Sequence, residues 1–493
     1  MTFQEELVIL LKARYPILYI LTIEEDRLEY SIRDLIDNDV DNYSNLYIWD
    51  FIDGYSLNHI KNEFGKRNPL EALEFIEQVN SNTPSIFILK DFKRFIQDLT
   101  ISRKLRNTLR VLKVQPKTLI IIDSEVQVPN DLKDHITIIK FNLPTAKEIK
   151  TELLHLTESI DDHEKVKLSI MEKIIHACQG LSLEKIRRVL AKALVIYKKL
   201  DENSIPIILG EKRQVISQTE LLEFWSVNVK LKDVGGAYNL KKWLNARTEI
   251  FTEKAVNYGL VTPKGVLIIG MQGSGKSLIA KAVAFEWQLP LLRLDVGRLF
   301  AGVVGESESR VREMIGIAES LAPCVLWVDE IDKAFTDSEQ NFDSGTTTRV
   351  LATFVTWLGE KTVPVFVIAT ANDIFSLPVE ILRKGRFDEI FFLGIPTEKE
   401  RQLIYEVHLK RFRPDTWETY DSRRLSERAR KFSGAEIEQT IIDAMYVAFS
   451  ENREFTTNDV LIAIKETVPI LDIDPQRTRL IQNWATSGRI RLA

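Results

Sequence analysis

Gly265-Val266-Leu267-Ile268-Ile269-Gly270-Met271-Gln272-Gly273-Ser274-Gly275-Lys276-Ser277 is the stretch whose reading decides the fold. It opens on a short apolar run ending in glycine, the pattern of a strand buried on both faces. Gly270 to Ser277 fit the spacing G-x-x-x-x-G-K-[ST] of a phosphate loop. Each residue type has a physical reason to be there. Gly270, Gly273 and Gly275 let the backbone turn inward, so that the amides of Met271, Gln272 and Ser274 can approach phosphate oxygens. A helical pattern starts at Lys276 and directs its N-terminus at the same charge. Lys276 is placed to reach the β- and γ-phosphates and the Ser277 hydroxyl to ligate Mg²⁺, so ATP with magnesium is the expected ligand.

The sequence downstream agrees. Pro290 to Leu294, Cys324 to Val328, Val363 to Ala369 and Ile390 to Leu393 read as further buried strands, separated by helical patterns over Lys276–Trp287, Arg310–Ala322 and Thr346–Leu358. Apolar strands alternating with helices imply a parallel sheet covered on both faces. The strand from Cys324 ends in Asp329 and Glu330, at the carboxyl edge where ligands bind in open α/β sheets. Asp329 is expected to hold Mg²⁺ through its waters and Glu330 to polarise the attacking water. Asp332 reads as a helix cap or loop acid. The fold class is α/β, a P-loop NTPase with its parallel sheet in residues 233–396 and a small helical lid and tail in 397–493.

Residues 1–145 repeat this plan. Pro16–Leu21, Leu46–Trp49, Pro84–Leu89, Thr118–Ile122 and Ile138–Leu143 parallel the five later strands in order, and helical patterns follow in 146–200. Cys178-Gln179-Gly180-Leu181-Ser182-Leu183-Glu184 echoes Phe432-Ser433-Gly434-Ala435-Glu436. The chemistry is missing from this half. Thr22-Ile23-Glu24-Glu25 stands where the phosphate loop would be, and two acids there repel phosphate. Lys90-Asp91 stands where Asp329-Glu330 would be. Residues 201–232 read as a connector with a helical piece from Gln218 to Trp225, too apolar at Leu221, Leu222, Phe224 and Trp225 to be a free linker.

The chain of 493 residues is 45% hydrophobic and 28% charged, with a formal net charge of -5. It has the means to bury several cores and lacks the basic excess of a broad nucleic-acid footprint. Cys178 and Cys324 lack metal or disulfide-scaffold spacing, and a reducing compartment fits. No apolar run reaches the roughly 18 residues a membrane span needs. The start reads as an amphipathic helix with Glu5 and Glu6 rather than a signal or transit peptide.

Taken together, these residues resemble the AAA branch of the AAA+ ATPases over about Asp233 to Glu466. The resemblance implies that Asp233, Val234 and Gly235 lie against adenine, that Asn372 is the sensor-1 residue at the γ-phosphate, and that His408 lies beside the ribose and adenine. It further implies that Gly434 and Ala435 are the lid residues at the nucleotide. Arg383 and Arg386, in Leu382-Arg383-Lys384-Gly385-Arg386-Phe387-Asp388, match the arginine fingers offered to a neighbouring subunit, with Arg349 a further interface residue. A homo-oligomeric ring, of six in this branch, is therefore expected.

Tyr15-Pro16, Glu24-Glu25-Asp26-Arg27, Leu221-Leu222-Glu223-Phe224-Trp225 and Trp484-Ala485…Gly488-Arg489-Ile490-Arg491 are similar to a narrower family, the hypothetical chloroplast reading frame forty-six of plastids and cyanobacteria. This implies a plastid stroma or cyanobacterial cytoplasm and a link to photosynthesis or inorganic-carbon use, with an unidentified protein client. One departure bears on mechanism. In Gly302-Val303-Val304-Gly305-Glu306-Ser307, Val303 replaces the aromatic of pore loop 1, and Phe300 is off register. A valine grips a threaded peptide over less area than an aromatic. Two outputs stay open: remodelling of a client, or a slow nucleotide-dependent switch or scaffold without threading.

Overall fold

The computed structural model describes residues 2–38, 45–57, 60–126, 128–158, 168–216, 221–225, 229–297, 306–333, 344–473, 475–485 and 490–493. By contact the chain divides into two compact units, residues 1–145 with 182–185, and residues 146–181 with 186–493.

The first unit is built on seven strands: β1 (Ile17–Leu21), β2 (Asn45–Asp50), β3 (Gly54–Leu57), β4 (Ile60–Asn62), β5 (Ser85–Lys90), β6 (Lys117–Asp123) and β7 (Thr137–Lys140), in the order β4-β3-β2-β5-β6-β1-β7. The second unit has β8 (Leu222–Trp225), β9 (Gly265–Gly270), β10 (Leu291–Asp295), β11 (Cys324–Asp329), β12 (Val365–Ala371), β13 (Glu389–Leu393) and β14 (Arg491–Leu492), in the order β14-β13-β9-β12-β11-β10-β8. Counted along the chain, β1, β2, β5, β6 and β7 of the first sheet and β9 to β13 of the second, five parallel strands in each, lie in the same order, fifth-first-fourth-third-second. The register repeats as well: Leu21 faces Asp123 as Ile269 faces Ala371, and Leu89 faces Ile121 as Val328 faces Ala369. Shared strand order and register are what an internal duplication leaves behind.

Both sheets are covered on two faces, which is why their strands read as unbroken apolar runs. In β1, Ile17 and Tyr19 join one core while Leu18 and Ile20 join the other. In β9, Leu267 and Ile269 face one core and Val266 and Ile268 the opposite one. Each fully buried aliphatic of this kind contributes roughly 1.5–3 kcal/mol.

Three elements depart from the sequence expectation. The helical piece expected from Gln218 to Trp225 is instead strand β8 over its last four residues, antiparallel to β10 with Leu222 opposite Leu294. The period-two alternation of Leu222 and Phe224 against Glu223 and Trp225 fits a sheet edge, and the unpaired edge of β10 supplies the partner. The hairpin β3–β4 extends the first sheet and had no apolar signature to announce it. The tail, expected to belong with the lid, returns as β14 beside β13, and Ala493 donates its N–H to Phe392 O at 3.0 Å.

Helices Ala146–Glu158, Leu168–Cys178, Leu183–Tyr197 and Ser204–Ile216 share a core of Ile149, Leu153, Ile174, Leu190 and Ile208. Lys212, on the last of them, is fully buried. The lid helices Glu398–Phe412, Ser422–Arg428, Gly434–Ser450 and Thr457–Glu466 close over Tyr405, Leu425, Phe432 and Ile437. Among the described residues no helix is long and apolar enough to cross a membrane.

Candidate functional site

β9 delivers the phosphate loop to the carboxyl edge of the second sheet. Gly273 and Gly275 adopt φ values of 77° and 96°, left-handed positions that favour glycine, and Gly275 caps the helix Lys276–Glu286. Gly273 must also be bare, because a Cβ there would sit 2.9 Å from Ser433 Oγ. Its carbonyl accepts the N–H of Ala435 at 3.1 Å, so the loop is stitched to the first turn of the lid helix Gly434–Ser450. Gly235 serves the same closeness on the other side, since a Cβ would lie 2.2 Å from Ile404 Cγ1 on the lid helix Glu398–Phe412.

Lys276 is buried and its Nζ donates to Gly270 O (2.7 Å), Met271 O (2.8 Å) and Asn372 Oδ1 (2.8 Å). Burial brings its pKa down to about 8, against the opposing pull of Asp332, Glu330 and Asp329. Asn372 hands the contact on, its Nδ2 donating to Glu330 Oε1 at 3.0 Å. Glu330 has a left-handed φ of 50° and a second partner in Lys333 Nζ at 2.5 Å. Burial alone would raise its pKa; Lys333, Asn372 and Lys276 outweigh that and hold it below the ordinary carboxylate value. Asp329 accepts from Thr370 Oγ1 at 2.8 Å through Oδ1 and from Arg293 Nη2 at 3.3 Å through Oδ2. Asp332, of open role in the sequence, accepts the backbone N–H groups of Asn372 and Asp373, each at 3.1 Å, and so fixes the turn that carries Asn372.

These groups surround a cavity of about 390 Å³, within the range typical of small-molecule sites. Asp233, Val234, Gly235, Gln272, Gly273, Ser274, Gly275, Lys276 and Ser277 line it, with Asp329, Glu330, Asn372, His408, Gly434 and Ala435. Gly270 and Met271 do not, contributing carbonyls to Lys276 instead. Ile404, Val407 and Glu438 also line the cavity and were missed; Ile404 and Val407 share a helix face with His408 at i, i+3, i+4 spacing, which was the available signal. Ser274 Oγ and His408 Nδ1, at the site, are buried and meet no hydrogen-bond partner among the described residues. Glu438 Oε1 is 3.7 Å from His408 Nδ1, and burial keeps this histidine's pKa below its ordinary value, against the pull of Glu438. A cationic loop, two carboxylates at a strand end and unmatched polar atoms fit a nucleotide with a divalent cation.

Neither Arg383 nor Arg386 lines this cavity. Arg383 is exposed, and Arg386 donates to Val355 O at 3.0 Å, passing over Gly359, where a Cβ would lie 1.8 Å from its guanidinium. The turn between them is anchored to the base of β9: Lys264 Nζ donates to Gly385 O (2.8 Å) and Gly359 O (2.6 Å), and Gly265 N to Asp388 Oδ2 (2.8 Å). Val303 and Phe300 lie outside the described residues, as does the side chain of Arg349, whose backbone is in the helix Ser344–Glu360.

The first unit places other groups at the equivalent positions. Glu24 is buried in the loop after β1 and accepts the N–H of Leu183 at 2.6 Å and Arg27 Nη1 at 2.5 Å. Leu183 opens the helix that corresponds to Gly434–Ser450, so a carboxylate caps the helix end that faces the nucleotide cavity in the other unit. Asp91 repeats the left-handed φ of Glu330 at 52°, but Lys90 pairs with Glu29 at 3.1 Å and Lys93 with Asp123 at 2.9 Å.

Sheet order, phosphate loop, acidic strand end and lid together define an AAA ATPase domain. Residues 266–395 match the family model described as ATPase family associated with various cellular activities (AAA). Residues 3–141 match the SpoVK-like AAA ATPase N-terminal domain and 147–219 its second domain. The chain is 57% identical to the AAA domain-containing protein ycf46 of Trieres chinensis, over 100% of this chain and 98% of that one. It is 52% identical to the ycf46 protein of Guillardia theta, over 100% and 97%. To the cell division cycle protein 48 homolog of Archaeoglobus fulgidus it is 29% identical over 62% of this chain and 43% of that one. The chain belongs to the ycf46 family of AAA domain-containing proteins.

Proposed function

We propose that this protein is a magnesium-dependent ATPase that works as a ring, of six copies, to remodel or regulate a protein partner. The observation that carries the ATPase reading is the run of contacts from Lys276 through Asn372 to Glu330, at 2.8 and 3.0 Å, on the wall of one cavity. Lys276 exchanges its carbonyl partners for the β- and γ-phosphates. Asn372, held through the backbone by Asp332, orients the attacking water, and Glu330, kept ionised by its neighbours, accepts the proton of that water. Magnesium, held by Ser277 and by Asp329 through waters, supplies charge neutralisation at the phosphates. Asp233, Val234, Gly235 and His408 take the base and ribose side, and Gly434 and Ala435 couple the lid to the loop. Arg383 and Arg386 complete the site of the next subunit, which is why they stand clear of their own.

Ycf46 relatives matched over full length support a plastid or cyanobacterial setting, and a role in photosynthesis or inorganic-carbon use is part of the proposal. A second reading, a slow switch or scaffold, is favoured by the ion pair of Glu330 with Lys333, which engages the base until it is released. Peptide-stimulated turnover separates the two outputs. ATP turnover by the wild type tests the ATPase reading, and Glu330→Gln tests the assignment of the base: the variant is expected to bind ATP with near wild-type affinity and to lose turnover. Turnover near the wild-type rate in that variant overturns the assignment.

A further inference from the structure

Thr370 is fully buried at the end of β12, one position into the edge where the nucleotide cavity begins. Its hydroxyl makes two hydrogen bonds whose directions are fixed by chemistry. A carboxylate only accepts, so the hydroxyl proton goes to Asp329 Oδ1, 2.8 Å away. An amide only donates, so the hydroxyl oxygen receives the N–H of Glu330 at 3.0 Å. The carbonyl of Thr370 takes the next amide, that of Ile331, at 2.9 Å. One residue therefore holds two successive amides and the carboxylate before them.

Glu330 stands in a left-handed conformation, φ 50°, uncommon for a non-glycine residue. The other unit supplies a comparison within the same molecule. There the corresponding residue of β6 is Ile122, without a hydroxyl, the amide of Asp91 goes to the Ile122 carbonyl at 3.2 Å, and Asp91 still keeps a left-handed φ of 52°, so what the Thr370 hydroxyl adds is not the turn itself but the joint hold on Asp329 Oδ1 and the Glu330 amide. The hydroxyl is present in the unit with the Asp-Glu pair and absent from the unit with Lys-Asp.

We propose that Thr370 is a positioning residue of the ATPase site, its single hydroxyl setting Asp329 for magnesium and Glu330 for the water together. The proposal rests on the reading of those two acids given above. Removing the hydroxyl frees Asp329 Oδ1 to rotate and leaves a buried N–H at Glu330 without its acceptor. Groups that orient a metal-binding carboxylate typically cost about 10–100-fold in metal affinity or activity when lost.

The test uses the full chain with Thr370→Val, which keeps the β-branched shape, Thr370→Ser, which keeps the hydroxyl, Thr370→Ala, which keeps neither, and Glu330→Gln as reference. Turnover gives kcat and KM. Titration of a fluorescent ATP analogue, once with magnesium and once with a chelator, gives binding apart from turnover. Thr370→Val is expected to lower kcat about 10–100-fold, to leave analogue affinity in chelator within about twofold, and to lose most of the gain that magnesium gives the wild type. Thr370→Ser is expected to keep most of both. Should the valine variant fail to fold, the serine variant decides, because a packing role for the γ-methyl would make it as impaired as an alanine. Wild-type kcat and magnesium gain in Thr370→Val, with Glu330→Gln inactive, overturns the proposal. So does a folded Thr370→Ser that turns over as slowly as the valine or alanine variant. Turnover by Glu330→Gln overturns instead the assignment of Glu330 as the base, and this inference with it, whereas a wild type that does not turn over ATP overturns the ATPase reading.

Discussion

Exchanging Lys212 for methionine removes an ammonium that folding buries completely. The side chain is fully buried and its Nζ meets no hydrogen-bond acceptor among the described residues. Burial, opposed by the thiols of Cys178 and Cys324, brings its pKa from 10.5 down to about 8. At ~1.4 kcal/mol per pH unit, that difference is worth about 3 kcal/mol. The folded value lies below the unfolded one, so between pH 8 and 10.5 the unfolded chain keeps a proton the folded chain has released. Stability therefore rises with pH across that window, and below pH 8 the whole penalty is present. Methionine has nearly the length of the lysine stem and needs no proton, so Lys212→Met fills the same space. It is expected to be more stable than wild type by up to about 3 kcal/mol at pH 7, with the advantage shrinking towards zero near pH 10. Urea unfolding of both proteins at pH 7, 8.5 and 10, followed by near-ultraviolet ellipticity, measures this. A variant no more stable than wild type at pH 7, or a difference that does not change with pH, refutes the reasoning.

Glu24→Ala leaves the Leu183 N–H and Arg27 without their shared acceptor and is expected to cost about 1–3 kcal/mol of stability. Nucleotide stoichiometry should stay at one per chain; a second bound nucleotide, by equilibrium dialysis, would contradict the account of the first unit. Gly235→Ala places a Cβ 2.2 Å from Ile404 Cγ1 and should weaken ATP-analogue binding about tenfold or more, about 1.4 kcal/mol per tenfold, with a stability cost of roughly 1–3 kcal/mol from overpacking. Unchanged affinity would remove Gly235 from the site.

The phosphate loop and acidic strand end were legible because their chemistry is local. Gly270 to Ser277 are contiguous, and Asp329-Glu330 end a strand whose apolar run is unmistakable. The five-strand repeat was legible for the same reason. What stayed hidden depends on partners far away in sequence. β8 has four residues and a pattern open to two readings until β10 offers an edge. β14 pairs through backbone groups that carry no sequence signal. Thr370 looks like any strand threonine until register brings Asp329 and Glu330 to its hydroxyl. Lys264 reads as a flanking lysine, yet it holds the turn between Arg383 and Arg386. The acids at Glu24 and Glu25 were readable as hostile to phosphate, but not that Glu24 would cap a helix beginning at Leu183.

The central claim is a single ATPase site per chain, completed by the arginines of a neighbour, and mixing two inactive variants tests it most directly. Arginine fingers are typically worth about 10³–10⁵ in rate. Lys276→Ala loses the phosphate contact but keeps Arg383 and Arg386; Arg386→Ala keeps the phosphate loop but loses an arginine. Each alone should be nearly inactive. Mixed, with co-assembly verified by native mass spectrometry, they should recover part of the wild-type turnover, because some interfaces pair an intact loop with an intact arginine. A mixture that co-assembles and stays inactive, or a dilute wild-type monomer that hydrolyses ATP as fast as the assembly, contradicts the account.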